Sequence, residues 1–361
     1  MGAGLSGEKL LSIQMSRGAA AILVVLHHSG RLISLPQYVG YIPFDGFFNF
    51  GHGGVDFFFT LSGFIIYFVH RGDVGCSSRL PRFGWRRLTR IYPNYWLVSA
   101  VLIVLALLKR DPSLTLAHMI QSLLLVPEFD DPVLGVGWTL RHEILFYAVF
   151  AVAIFNRRAG VAVAAIWLGL IAVNLVAPFD DWRLQFVAYS YNLQFLFGVM
   201  AGHLVASGGV KPARLLAVIG AAGFLAVGVA ENAGLFPVAG PATQVLFGLC
   251  AAALIVGLAS AETQGTIRVG AFAAFLGGAS YSIYLVHTLT ITLFAQLLMR
   301  TGTTHLLPGG ATLLAASVLA VLSGCLLYVV FERPLMNRLA SLARAGRARE
   351  MKPGIAIGRP R

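Results

Sequence analysis

The sequence predicts an all-α fold: a polytopic membrane protein with about ten transmembrane helices in one bundle. Three observations predict it. Hydrophobic residues make up 57% of the chain and charged residues 12%, against roughly 25% charged in soluble domains. Mean hydropathy is +0.78. Apolar blocks near the ~20 residues that cross a bilayer recur from one end to the other. The 361 residues would allow two or three soluble domains by length alone. The block pattern instead gives one membrane domain over 1–335 and a basic tail over 336–361. The tail is rich in Arg, Gly and Pro, lacks an apolar face, and is expected to be disordered at the cytoplasmic surface.

In order, the expected spans lie near 11–33, 54–70, 92–108, 137–155, 159–177, 187–206, 213–230, 242–260, 272–298 and 311–331. Charge clusters and Gly/Pro breaks separate them. The segment 113–126 is apolar but short and flanked by acids, so it reads as re-entrant or interfacial. Residues 1–10 are polar and lack the charged, apolar and small-residue order of a signal peptide, so insertion is expected to rely on the first helix. Cys76, Cys250 and Cys325 are far apart, form no CxxC pair and receive no role. No internal repeat is strong enough to suggest a transporter of inverted halves.

Loop charge sets the orientation, because cytoplasmic loops carry the excess of Lys and Arg. With the N-terminus inside, the inner side receives 21 of the 27 basic residues, including six arginines from Arg71 to Arg90. The acids Asp111, Glu128, Asp130, Asp131, Asp180 and Asp181 gather on the other side. Both termini are therefore expected in the cytoplasm. A net charge of +12 would suggest nucleic acid in a soluble protein. Here it sits mostly in inner loops, where topology and anionic membrane lipids account for it, and no nucleic-acid partner is expected.

Ionisable residues inside spans are costly and mark cavities. Arg17 and His28 lie eleven residues apart on the first span; at 100° per residue they share a face, roughly 16 Å apart along the axis. An arginine at the inner boundary puts the histidine near the midplane. The alternative is a snorkelling anchor and a hydrogen-bonded core histidine. His27 points about 100° away and is the weaker candidate.

A glycine-rich turn, Gly51-His52-Gly53-Gly54, leads into an aromatic helix with Asp56 at its expected outer mouth; helix capping would explain that acid equally well. Arg86 and Arg90, four apart, make one basic helix edge suited to a phosphate-bearing ligand. A positive-inside anchor with an aromatic belt is the alternative. Glu143, inside the fourth span, needs a partner; simple neutralisation by His142 or Arg141 is the alternative to a functional role. The run from Ser280 to His287 adds hydroxyls and another histidine, for most of which structural hydrogen bonding between helices is expected.

These stretches together resemble the acyltransferase-3 family of bacterial membrane proteins, which includes acetyltransferases of exopolysaccharides and O-antigens. The Arg-x10-His spacing of Arg17 and His28, the GVDFFFTLSGF block, RLTRIYPNYW, WTLRHEILFY and SYSIYLVH stand in family order from about residue 11 to 335. The opening SIQMSRGAA is most similar to the exopolysaccharide branch. Ser16 before the arginine and the basic Arg141-His142 pair depart from the family pattern, and no contribution from an esterase-like domain is expected.

The resemblance implies acyl transfer from acetyl-CoA or another acyl-CoA to a hydroxyl of a glycan or lipid-linked sugar, in the bacterial inner membrane. Arg86 and Arg90 would hold the donor's phosphates, with Tyr92 and Ser62 of the same blocks beside it, and no metal is expected. His28 would act as general base, Asp56 or Glu143 would orient it, and Arg17 would stabilise negative charge near the donor. An acyl-histidine intermediate is the alternative route. The rival function is a transporter or lipid-linked sugar flippase, whose cavity would also hold buried His, Asp and Glu. A non-catalytic scaffold accounts for the hydrophobicity but not for the convergence of polar motifs.

The charge count generates a test. An engineered cysteine near Asp130 is expected to react with an impermeant reagent from outside only. Labelling from the cytoplasm alone would reverse the topology.

Overall fold

A computed structural model of the protein describes residues 10–304 and 306–350, with side chains through Leu342. Thirteen α-helices follow one another: α1 (Leu11–Ile33), α2 (Gly53–His70), α3 (Leu80–Leu108), α4 (Leu116–Leu124), α5 (Trp138–Phe155), α6 (Arg157–Val176), α7 (Trp182–Val187), α8 (Tyr191–Ala206), α9 (Ala213–Asn232), α10 (Pro241–Thr263), α11 (Ala271–Thr301), α12 (Gly309–Leu327) and α13 (Arg333–Glu350). There is no strand among the described residues.

Eight helical stretches among the described residues are long and apolar enough to cross a membrane. The two expected spans that fall outside this set are α1 and the segment 187–206. α1 carries Arg17, His27, His28 and Arg31 within its 23 residues. α8 has only 16 residues, because the chain breaks between α7 and Tyr191. Length and apolarity thus carry eight crossings, and the expected ten goes beyond them.

The short segment 113–126 contains only α4, nine residues long, or about 14 Å at 1.5 Å per residue. That is far below the ~30 Å hydrocarbon thickness. The Thr115 side chain caps its start by accepting from the His118 N–H. At its end the carbonyls of Ser122, Leu123 and Leu124 accept from Tyr95, Trp96 and Tyr92 of α3, at 2.7, 2.8 and 2.9 Å, which satisfies last-turn groups that lack a full set of helical partners.

α1 lacks a cap of its own. The Glu262 carboxylate at the end of α10 supplies one, accepting from the N–H groups of Leu11 and Ser12 at 2.7 Å each. α1 then packs along α11. Gly18 faces Gly277, and ten residues further along α1 His28 meets His287, so the two helices run parallel. An odd number of crossings must therefore lie between them. A side chain at Gly277 would collide with the Gln14 carbonyl, so the contact is a close backbone approach that glycine permits. α2 and α8 cross the same way, since a side chain at Gly198 would collide with the Thr60 carbonyl.

Three apolar clusters fill the bundle. One joins α1, α2, α3, α5, α6, α8 and α11, a second α1, α2, α8, α9 and α10, and a third α1, α11 and α12. Phe58 packs against all three.

The expected disordered tail from 336 is corrected over its first part. A π-turn, Tyr328–Glu332, carries α12 directly into α13, which stays helical to Glu350. Residues 351–361 of that tail lie outside the described residues.

The glycine contact generates a prediction. Gly277→Val should destabilise the protein by about 2 kcal/mol or more, within the range for overpacking. Gly169→Ala, in open space, should be neutral. A melting temperature unchanged by Gly277→Val would show that α1 and α11 do not meet there.

Candidate active site

A cavity of about 440 Å³ opens between α1, α2, α3, α5 and α11, a size typical of small-molecule sites. Four arginines line it, Arg17 from α1 and Arg86, Arg87 and Arg90 from α3, against one carboxylate, Glu143 of α5. Ser62 and Phe58 of α2 and Tyr281 and Tyr284 of α11 complete its polar and aromatic walls. Met336 also lines it, so the first residue of the expected tail belongs to the bundle.

Each charge has an assignable environment. Arg86 is exposed at the cavity edge, and Arg87 and Arg90 are half-buried. Arg90 forms an ion pair through Nη1 with the buried Glu332 and lies over the Tyr281 ring, 5.1 Å from its centroid. The other oxygen of Glu332 accepts from Ser282 Oγ at 2.6 Å. The π-turn at the end of α12 delivers this glutamate, and such turns cluster at functional positions. Arg17, half-buried, forms no ion pair within 4 Å among the described residues. Glu143 Oε1 accepts from Ser62 Oγ at 3.0 Å and from the Tyr147 hydroxyl.

His28 does not line this cavity. It is half-buried, its Nδ1 lies 3.0 Å from the Val24 carbonyl oxygen, and its ring lies 4.9 Å from that of His287 on α11. Tyr284 joins the two places: its ring lines the cavity and stands 5.6 Å from the His287 ring. Phe58 packs 6.0 Å from Tyr284 on the same wall. Arg17 and His28 therefore face the same neighbour, α11, one at the cavity and one beyond the Tyr284 wall. His27 is buried and turned away, its Nδ1 2.7 Å from the Asn49 carbonyl oxygen.

Three expectations are corrected. Asp56 is fully buried and accepts from Gln194 at 2.9 Å. It neither lines the cavity nor contacts His28 among the described hydrogen bonds, and it caps no helix end. It fails as an outer-mouth acid because the 3-10 segment Pro43–His52 and α8 enclose that turn. Tyr92 is spent on α4, its hydroxyl donating to the Leu124 carbonyl. Arg90 lines the cavity and also pairs with Glu332, a partner the sequence reading did not anticipate. Neither His142 nor Arg141 neutralises Glu143: His142 meets Asn192 at 3.0 Å, and Arg141 turns to the Asp130 carbonyl at 2.7 Å and the Glu128 carboxylate at 3.7 Å.

Sequence reasoning missed Arg87, Tyr147, Tyr284 and Glu332 as cavity groups or partners. Arg87 lay within a cluster already read as basic. Glu332 carried a usable signal, a single acid at the end of the last apolar block.

Comparison with known proteins bears on this geometry. The acyltransferase-3 family model, described as an acyltransferase domain, matches residues 10–330. The exopolysaccharide production protein ExoZ of Rhizobium meliloti (strain 1021) is 35% identical over 323 residues, covering 86% of this chain and 95% of that protein. The acyltransferase MdmB of Streptomyces mycarofaciens is 28% identical over 337 residues, covering 80% and 82% respectively. No solved structure matches. The matched stretch takes in every helix that lines the cavity except α13, and on this ground the chain belongs to the acyltransferase-3 family and is a membrane acyltransferase.

Proposed function

We propose that the protein moves an acetyl or other short acyl group from acyl-CoA to a hydroxyl of a surface-polysaccharide sugar or related glycan, free or lipid-linked. It would do so in the bacterial cytoplasmic membrane with both termini in the cytoplasm. One observation carries the donor assignment: four arginines line one cavity against a single glutamate. Even with Glu332 balancing Arg90, the site stays electropositive in a low-dielectric setting, which favours a polyanionic ligand. Acyl-CoA puts phosphates at one end of a long flexible arm and a thioester at the other. The glycan acceptor is supported by the likeness to ExoZ, named for exopolysaccharide production.

In this reading Arg86 and Arg87 meet phosphate at the cavity edge, where guanidinium forks suit phosphate oxygens. Glu332 and the Tyr281 face hold Arg90 in position. Glu143 has its Oε1 committed to two hydroxyls, and its Oε2 offers an acceptor to the amide N–H groups of the arm. Arg17, deeper along α1, stabilises negative charge near the thioester. His28 lies beyond it by roughly 16 Å along the helix axis, so the acyl end must pass the wall made by Phe58 and Tyr284. There His28 takes the proton of the acceptor hydroxyl. No metal and no nucleic acid enter this reading.

The direct test uses purified protein in lipid nanodiscs, acetyl-CoA labelled in the acetyl group and a glycan acceptor. Label should move to the glycan with release of one CoA thiol per acetyl. Movement of glycan across vesicles without thioester consumption would replace the proposal with a transporter or flippase.

Three substitutions refine it. Arg86→Ala should raise the KM for acyl-CoA about fivefold, since an exposed charge contact contributes about 1 kcal/mol, with kcat little changed. Arg90→Ala should instead lower stability, because it strands a buried carboxylate, a change that costs roughly 3–5 kcal/mol. Adding Glu332→Gln should restore much of the loss in a melting experiment. His28→Ala should lower kcat by about 100-fold or more at normal protein levels, and near-normal turnover would remove His28 from the chemistry.

A further inference from the structure

The partners of two histidine rings settle which nitrogens carry protons. His287 is fully buried on α11, and its Nδ1 lies 2.6 Å from the Tyr284 carbonyl oxygen. A carbonyl oxygen only accepts, so this Nδ1 carries the hydrogen, and in a neutral imidazole the other nitrogen is then an acceptor. That acceptor, His287 Nε2, stands 3.3 Å from His28 Nδ1. The same His28 Nδ1 lies 3.0 Å from the Val24 carbonyl oxygen, one turn back on α1. With acceptors on both sides, His28 Nδ1 must be the N–H. The lone pair is left on His28 Nε2.

We infer that His287 is the positioning residue of the His28 base: it fixes the ring orientation and the tautomer that make Nε2 the reactive nitrogen. This rests on the acyl-transfer reading above. When the acceptor hydroxyl attacks the thioester carbonyl, its O–H bond breaks and the proton moves to His28 Nε2. The new O–C bond forms, the C–S bond breaks, and the departing thiolate takes the proton from Nε2. Between these events His28 is an imidazolium, and its Nδ1–H becomes a charge-assisted donor to His287 Nε2. The contact that sets the tautomer therefore strengthens as charge develops, the requirement for transition-state stabilisation.

In a Ser-His-Asp triad a carboxylate does this work. Here no carboxylate meets His28 among the described hydrogen bonds and ion pairs, and a neutral imidazole takes the place. A neutral partner suits this depth, where an ionised carboxylate would bear a large desolvation cost. His28 is also the member of the adjacent pair whose ring nitrogen meets a second imidazole nitrogen; His27 Nδ1 meets the Asn49 carbonyl, and its ring lies 5.7 Å from that of His52.

The test compares His287→Leu with His287→Gln in the full-length protein in nanodiscs. Gln retains an acceptor oxygen near the position of Nε2, and Leu retains none. His287→Leu should lower kcat about 100-fold while the KM for acyl-CoA stays within twofold, and His287→Gln should recover at least tenfold of that loss. A structural role alone would move melting temperature and both constants together for either variant. Nitrogen NMR of ring-labelled protein reads the tautomer without activity: wild type should show His28 protonated at Nδ1 and bare at Nε2. A wild-type His28 protonated at Nε2, or equal kcat in Leu and Gln variants, would overturn the inference. Absence of transfer by wild type would sink the acyl-transfer reading, with the NMR result still deciding the histidine geometry.

Discussion

The parallel contact of α1 with α11 is the constraint on which the rest of the arrangement depends. Gly18 and Gly277 bring the two backbones together, and everything above that crossing is set by helix geometry. Arg17, beside the crossing, lines the same cavity as Ser280 and Tyr281. Three turns further on, His28 arrives at His287. The Glu262 carboxylate fixes where α1 begins, so the register of both polar residues is tied at the helix start as well as at its middle. A slip of one residue would rotate both by about 100° and separate them from α11.

Charge in the cavity follows a second constraint. Ionised groups removed from water need partners, and the bundle supplies some completely and others in part. Glu332 is satisfied by Arg90 and Ser282, so that pair behaves as framework. Arg17 and the Oε2 of Glu143 keep hydrogen-bonding capacity and border the cavity. The unspent capacity is where a ligand gains contact. The Phe58 and Tyr284 wall, anchored by the Tyr284 hydroxyl to Thr139 at 3.0 Å and the Val136 carbonyl at 3.2 Å, stands between this cavity and the histidine pair. In the proposed reading the acyl end, and not the phosphates, passes this aromatic layer.

Much of this was legible in the sequence because it is periodic or local. Hydrophobic blocks gave the helical membrane class, the eleven-residue spacing gave the shared face of Arg17 and His28, and shortness gave the non-spanning character of 113–126. What was not legible is long-range pairing. Glu143 reads as an acid in need of its sequence neighbours, yet its partners come from Ser62 on α2 and Tyr147 a turn away. Arg90 and Glu332 are 242 residues apart, and His28 and His287 are 259 apart. Asp56 was misleading for a different reason: the glycines that suggest an open turn serve close packing against Phe247 and Ala20, and the carboxylate ends beside Gln194. The basic tail lacks an apolar face, but the continuous turn from α12 extends helix into it.

The central claim is that donor phosphates sit among the α3 arginines while the reactive end reaches His28 past Tyr284. A structure of the protein with a non-hydrolysable thioether analogue of acetyl-CoA tests it most directly. The account predicts phosphate density at Arg86 and Arg87, an arm running beside Glu143 and Arg17, and the thioether sulfur near His28 Nε2 with the Tyr284 side chain displaced. An analogue bound elsewhere, or bound in the cavity in the reverse sense with its phosphates towards His28, would contradict it.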